Sequence, residues 1–160
     1  MTKQYLNVLI DSLRKKEKIL SELIVKNEEQ AEILRKEEFD EEAFDANSEE
    51  KGRLIKQLNP LDEGFETVFG HVEEELSTEQ GRQAYKKEIQ QMKDLITSIT
   101  EKSMTIQAGE QRNKKALENY FSKERERIRN GRTGSKAALN YYNNMKNRTF
   151  VPPHFLDSKN

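Results

Sequence analysis

Residues 5–36 read YLNVLIDSLRKKEKILSELIVKNEEQAEILRK, and their apolar side chains recur at intervals without forming a continuous run. They fall at Leu6, Leu9, Ile10, Leu13, Leu20, Leu23, Ile24, Ala31 and Leu34. Spacings of three, four and seven place them on one stripe of an α-helix, and Leu6, Leu13, Leu20, Asn27 and Leu34 form a seven-residue line. The pattern predicts a helix from Tyr5 to Lys36 packed along a narrow seam. Asn27 interrupts that seam with a carboxamide, a device that fixes register more often than it binds a ligand.

Downstream the same period returns twice. The acidic run EEFDEEAFDANSEE, residues 37–50, holds eight acids and no base. Asp40, Glu41 and Glu42 suit a helix start, where carboxylates meet the positive end of the dipole. A second seam then follows Phe44, Lys51, Leu58, Phe65 and Val72. Pro60 lies inside it, but the spacing continues unbroken, which predicts one helix from Asp40 to Leu76 with a kink at the proline. Ser77-Thr78-Glu79 opens a third helix, whose first turn Gly81 weakens. Its two neighbouring lines are Tyr85, Met92, Ile99, Ile106, Asn113 and Tyr120, and Ile89, Ile96, Ser103, Glu110 and Leu117. No breaker appears before Asn130-Gly131, so this helix is expected to span roughly 53 residues, about 80 Å at 1.5 Å per residue.

The expected fold is all-α: an extended antiparallel three-helix bundle over residues 1–130 with a long third helix. Residues 131–160 are expected to hold a hinge (NGRTGS), a short amphipathic helix (SKAALNYYNNMKN) and an extended apolar tail, TFVPPHFLDSKN. Pro152 and Pro153 favour an extended path that displays Phe150, Val151, Phe155 and Leu156. Past Lys115 the first two helices run out, so Ala116, Leu117, Tyr120, Phe121 and Ile128 are expected to form an apolar stripe without a partner in the bundle. With Tyr141, Tyr142 and Met145 of the short helix, and Phe150, Phe155 and Leu156 of the tail, they make up the candidate partner-binding residues. The tail itself is expected to dock on a helix seam of its own or a neighbouring molecule when no partner is present, or else to act as a permanent clip that completes the bundle.

Composition agrees with narrow seams. Hydrophobic residues make up 33% and charged residues 36% of the chain, while the net charge is only −1. A high charged fraction with balanced signs fits extended helices better than disorder. The balance hides an asymmetry: residues 1–80 carry 11 basic and 21 acidic side chains, and residues 81–160 carry 17 and 8. Either an acidic front half packs against a basic back half within one molecule, or the basic half faces an acidic partner. With no cysteine, and no apolar run of signal-peptide or membrane-span length, a soluble cytoplasmic protein without membrane insertion is expected.

Catalytic chemistry finds no foothold in the residues. His71 and His154 stand alone without metal-ligand spacing, and GRTGSK lacks the spacer of a phosphate loop. The expectation is no enzyme, no cofactor and no metal. Nine basic residues lie between Arg112 and Lys136, but Glu118, Glu124 and Glu126 are interspersed as in a solvated helix, which counts against nucleic acid.

The order of elements resembles that of the FlgN-like flagellar export chaperones. It rests on YLNVLIDSLRKKEKILSEL at residues 5–23, the acidic crossover, EKGRLIKQLNPLDEGF at residues 50–65, the long third helix, and SKAALNYYNNM at residues 135–145. The related FliT-type chaperones share this plan. The VPPHF extension departs from it. The resemblance implies a cytoplasmic helical bundle that holds a hook-associated protein as client before type III export, keeps it soluble and contacts the flagellar export gate. Only Tyr141 and Tyr142 carry over as candidate contacts. The same residues also fit a structural coiled-coil or adaptor protein that forms a homo-oligomer through its seam.

Overall fold

The computed structural model describes residues 1–129, with side chains to Glu126. They form six helices: α1 (Thr2–Arg35), α2 (Glu41–Lys56), α3 (Leu58–Gly70), α4 (Glu73–Leu76), α5 (Glu79–Ala84) and α6 (Lys86–Arg129). No strand occurs among the described residues, and the fold is an all-α helical bundle.

α1 follows the expected span closely. The second seam is divided where one kinked helix from Asp40 to Leu76 was expected. Asp40 caps α2 as its position suggests, its Oδ1 accepting from the Ala43 N–H at 3.1 Å. The break at Pro60 falls three residues earlier, at Gln57, whose N–H bonds Leu54 O at 3.1 Å. Proline lacks the N–H that would bond the Lys56 carbonyl, and its ring crowds that carbonyl, so the ladder lapses upstream of the ring. Pro60 itself then sits in the first turn of α3, where no N–H is required. A second break follows Gly70, a weak helix former. There His71 and Val72 bond the carbonyls three residues back, at 3.0 Å each. The seam nonetheless stays in phase, since Leu54, Leu58, Phe65, Phe69, Val72 and Leu76 are all buried.

The third helix is shorter than expected. Thr78 adopts extended backbone and its Oγ1 accepts from the Gly81 N–H at 3.0 Å, starting α5. Gly81 is required here by close approach: a Cβ would lie 2.0 Å from the Glu75 carbonyl oxygen. Tyr85 interrupts the helix at φ −117°. α6 then runs for 44 residues, about 66 Å at 1.5 Å per residue.

The described residues group into two compact units. The first joins Met1–Ser21 to Leu54–Ser103. Its segments run up, down and up. Thr2 donates to Glu75, Tyr5 stacks on His71 with ring centroids 5.0 Å apart, and Lys16 pairs with Asp62 at 2.7 Å, so α1 opposes α3 and α4. Ser98 donates to Glu17, in keeping with α6 running alongside α1. Leu6, Leu9, Leu13, Leu20, Met92, Ile96 and Ile99 complete the buried seam. The second unit joins Glu22–Arg53 to α6 from Met104. Again α2 opposes α1, as Asn47 bonds the Lys26 carbonyl at 2.9 Å and Gln30 bonds Asn47 at 3.1 Å.

Replacing Leu20 or Ile99 by Ala is expected to cost about 2–5 kcal/mol in chemical denaturation, since each fills a closed seam position. Replacing Glu50 by Gln, which removes an exposed pair with Arg53, is expected to cost no more than about 0.5 kcal/mol.

Candidate partner-binding site

The second unit is built around a polar layer. Lys51 is 0% exposed, yet it lies on the apolar seam of α2. Its ammonium pairs with Glu110 of α6 at 2.5 Å and donates to Gln30 Oε1 of α1 at 3.2 Å. Gln30 in turn donates to Asn47 and accepts from Asn113 at 3.1 Å, and Asn113 also donates to the Asn27 carbonyl at 3.0 Å. Asn27 reaches the Ile106 carbonyl of α6 at 3.4 Å. Gly109 lets the α6 backbone come close to that amide, since a Cβ there would stand 3.0 Å from Asn27 Nδ2. Burial pushes the Lys51 amine below its ordinary value, and the charge and hydrogen bond of Glu110 work against that fall.

One heptad further along both helices the layer becomes apolar. Phe44 and Leu117 are buried together, and Ile33, Leu34, Phe39 and Phe121 pack around them. The aromatic rings continue outward. Phe39 tilts against Phe44 with centroids 5.4 Å apart, and stacks on Tyr120 at 4.3 Å. Between the α1–α2 turn and α6 this leaves a groove of about 280 Å³. Its walls are Leu34, Phe39, Ala116 and Tyr120, all half-buried, and its rim carries Lys36, Glu37, Asn119 and Lys123, all exposed.

The structure therefore corrects the expectation of a stripe without partners. Leu117 is only 2% exposed and belongs to the core of the second unit. Ala116, Tyr120 and Phe121 are half-buried, covered in part by the turn that connects α1 to α2. The difference from the expected stripe has a physical origin. Residues 77–85, assigned to the third helix, go into the turn before α5, α5 itself and the break at Tyr85. α6 starts later than assumed, and the position opposite Phe44 is Leu117. The Ile128 side chain lies outside the described residues, as do Tyr141, Tyr142, Met145, Phe150, Phe155 and Leu156.

Leu34, Phe39, Lys36 and Lys123 were not anticipated as parts of a site, and neither was the polar layer around Lys51 and Glu110. The layer did leave a signal: Asn27, Lys51, Glu110 and Asn113 all occupy heptad seam positions, with opposite charges on two different helices. Phe39 gave no comparable signal, because it sits inside an acidic run and outside either heptad line.

No group of His, Cys, Asp and Glu able to hold a metal ion occurs among the described residues, and no helix there is long and apolar enough to cross a membrane. No protein-family model matches this chain, and searches of curated proteins and of solved structures return no match either.

Beside the layer, Asp45 of α2 is held above the usual carboxylate range, first by burial and then by the charges of Glu41 and Glu49, one turn away on either side. A raised acid binds its proton more tightly in the folded state, so ionised Asp45 opposes folding above its folded value. Asp45→Asn is expected to raise the thermal midpoint at pH 7. That gain should fade as pH falls through the raised folded value and be gone below about 3.8, the ordinary aspartate value, where the wild-type group is protonated in both states. An equal gain at both pH values would contradict the assignment.

Proposed function

We propose that this chain is a flagellar export chaperone of the FlgN-like class, holding the terminal helical segment of a hook-associated protein in the cytoplasm until it is passed to the export gate. The observation that carries the reading is the groove between the α1–α2 turn and α6. It combines a half-buried aromatic wall with charged residues at its rim, and half-buried apolar surface with a polar border is what recognition of an amphipathic helix needs. The resemblance at residues 5–23, 50–65 and 135–145 supplies the flagellar part of the proposal. The binding role needs no catalytic group. It needs a rigid frame that presents apolar surface, and enough charge around it for solubility.

The experiment is affinity capture from the lysate of a flagellated bacterium, read by mass spectrometry, together with light scattering of the purified chain over a concentration series. Recovery of a hook-associated protein by a chain whose mass stays monomeric is the expected result. Failure to retain any hook-associated protein, with a mass that grows with concentration, would favour the self-associating adaptor instead.

A further inference from the structure

The groove is too small for the whole apolar face of a helix. About 280 Å³ is at the lower edge of the ~300–1,000 Å³ range of ligand pockets, which leaves room for one large side chain. Its walls suit an aromatic or leucine anchor: Phe39 and Tyr120, stacked on each other, form part of the lining, and Leu34 and Ala116 complete its apolar surface. Aromatic anchors that become fully desolvated in a well-packed pocket dominate the energetics of many protein interfaces.

The rim selects among anchors by charge. Lys36 and Lys123 are exposed, and neither makes an ion pair among the described residues. Among the described residues Glu37 is the one acid lining the groove, against Lys36 and Lys123, so the described rim is net positive. Glu38, Asp40 and Glu41 of the same turn are exposed but do not line it. An acidic segment is thus attracted on the α6 side, at Lys123, and repelled if it approaches across the turn.

We propose that the groove seats a single aromatic or leucine side chain from an acidic amphipathic segment, with a carboxylate next to that anchor paired to Lys123. This inference rests on the client-binding reading above and adds the chemistry of the recognised segment.

The chain contains no tryptophan, so a peptide with one tryptophan reports its own burial. Two amphipathic peptides of about 20 residues serve as probes. Each carries tryptophan at the centre of its apolar face, flanked one turn away by glutamates in one peptide and by lysines in the other. Added to the full chain, the glutamate peptide is expected to shift its emission to the blue and to saturate, whereas the lysine peptide binds about tenfold more weakly or less well still. Lys123→Glu is expected to reverse that preference, and Ala116→Phe, which fills the groove, to abolish the blue shift. Circular dichroism and a thermal melt establish that each variant is folded; Lys123 is exposed, so the charge reversal stands as a test even if Ala116→Phe unfolds the chain.

Equal binding of the two peptides, no reversal with Lys123→Glu, or no binding of either at about 100 μM would overturn the inference. If a hook-associated client is captured while the peptides fail, the anchor proposal falls and the chaperone reading stands. If the peptides behave as expected and no such client is captured, the anchor proposal stands and the flagellar assignment falls.

Discussion

The second unit depends on one contact, the ion pair between Lys51 and Glu110. A lysine with no exposed surface is expensive to bury, because its charge leaves water and must be met by something of comparable strength. Glu110 meets it at 2.5 Å and Gln30 at 3.2 Å, and each comes from a different helix. The carboxamides of Gln30, Asn47 and Asn113 then satisfy one another and the backbone carbonyls of Lys26 and Asn27. Few alignments of three helices satisfy these groups together. Sliding any helix by one turn would strand a buried charge or amide, at about 1–3 kcal/mol for each unpaired polar group and more for a charge. The layer therefore acts as a register pin. An all-leucine seam would be more forgiving, and would tolerate alternative pairings and copies.

Register is what positions the groove. Seven residues separate Lys51 from Phe44, and seven separate Glu110 from Leu117. The pair that fixes the layer thus brings Phe44 and Leu117 together one heptad away, about 10.5 Å along the helices. Around that apolar contact the α1–α2 turn closes, placing Phe39 on Tyr120 and leaving the space beside Ala116. Polar and aromatic layers divide the work. The first sets which residues face one another, and the second uses that arrangement to present surface.

Much of this was legible in the residues. Heptad spacing locates α1 and both seams, Asp40 and Thr78 mark helix starts, and the carboxamide of Asn27 on the seam points to a register device, a role its bond to the Ile106 carbonyl supports. The breaks were less legible. Pro60 announced an interruption, but the carbonyl it deprives lies four residues back, which moved the break to Gln57. Tyr85 carries no breaker signal at all. Its break and the turn before α5 together moved α6, and so decided which apolar residues found cover. Leu117 looked unpartnered because helix lengths were counted along the chain, without the residues those turns consume. The groove was hidden for a related reason: Phe39 belongs to no heptad, and only the closed turn brings it to Tyr120.

The register claim is tested most directly by a double-mutant cycle on Lys51→Met and Glu110→Leu, read by chemical denaturation of the full chain. Each single change leaves one charge of the pair, fully buried at Lys51 or partly buried at Glu110, without its ion partner and is expected to cost about 3–5 kcal/mol, whereas the pair together should recover most of the summed loss, giving a coupling of about 3 kcal/mol or more. Losses that simply add would contradict the account, and the polar layer would then be a consequence of the fold rather than what aligns it.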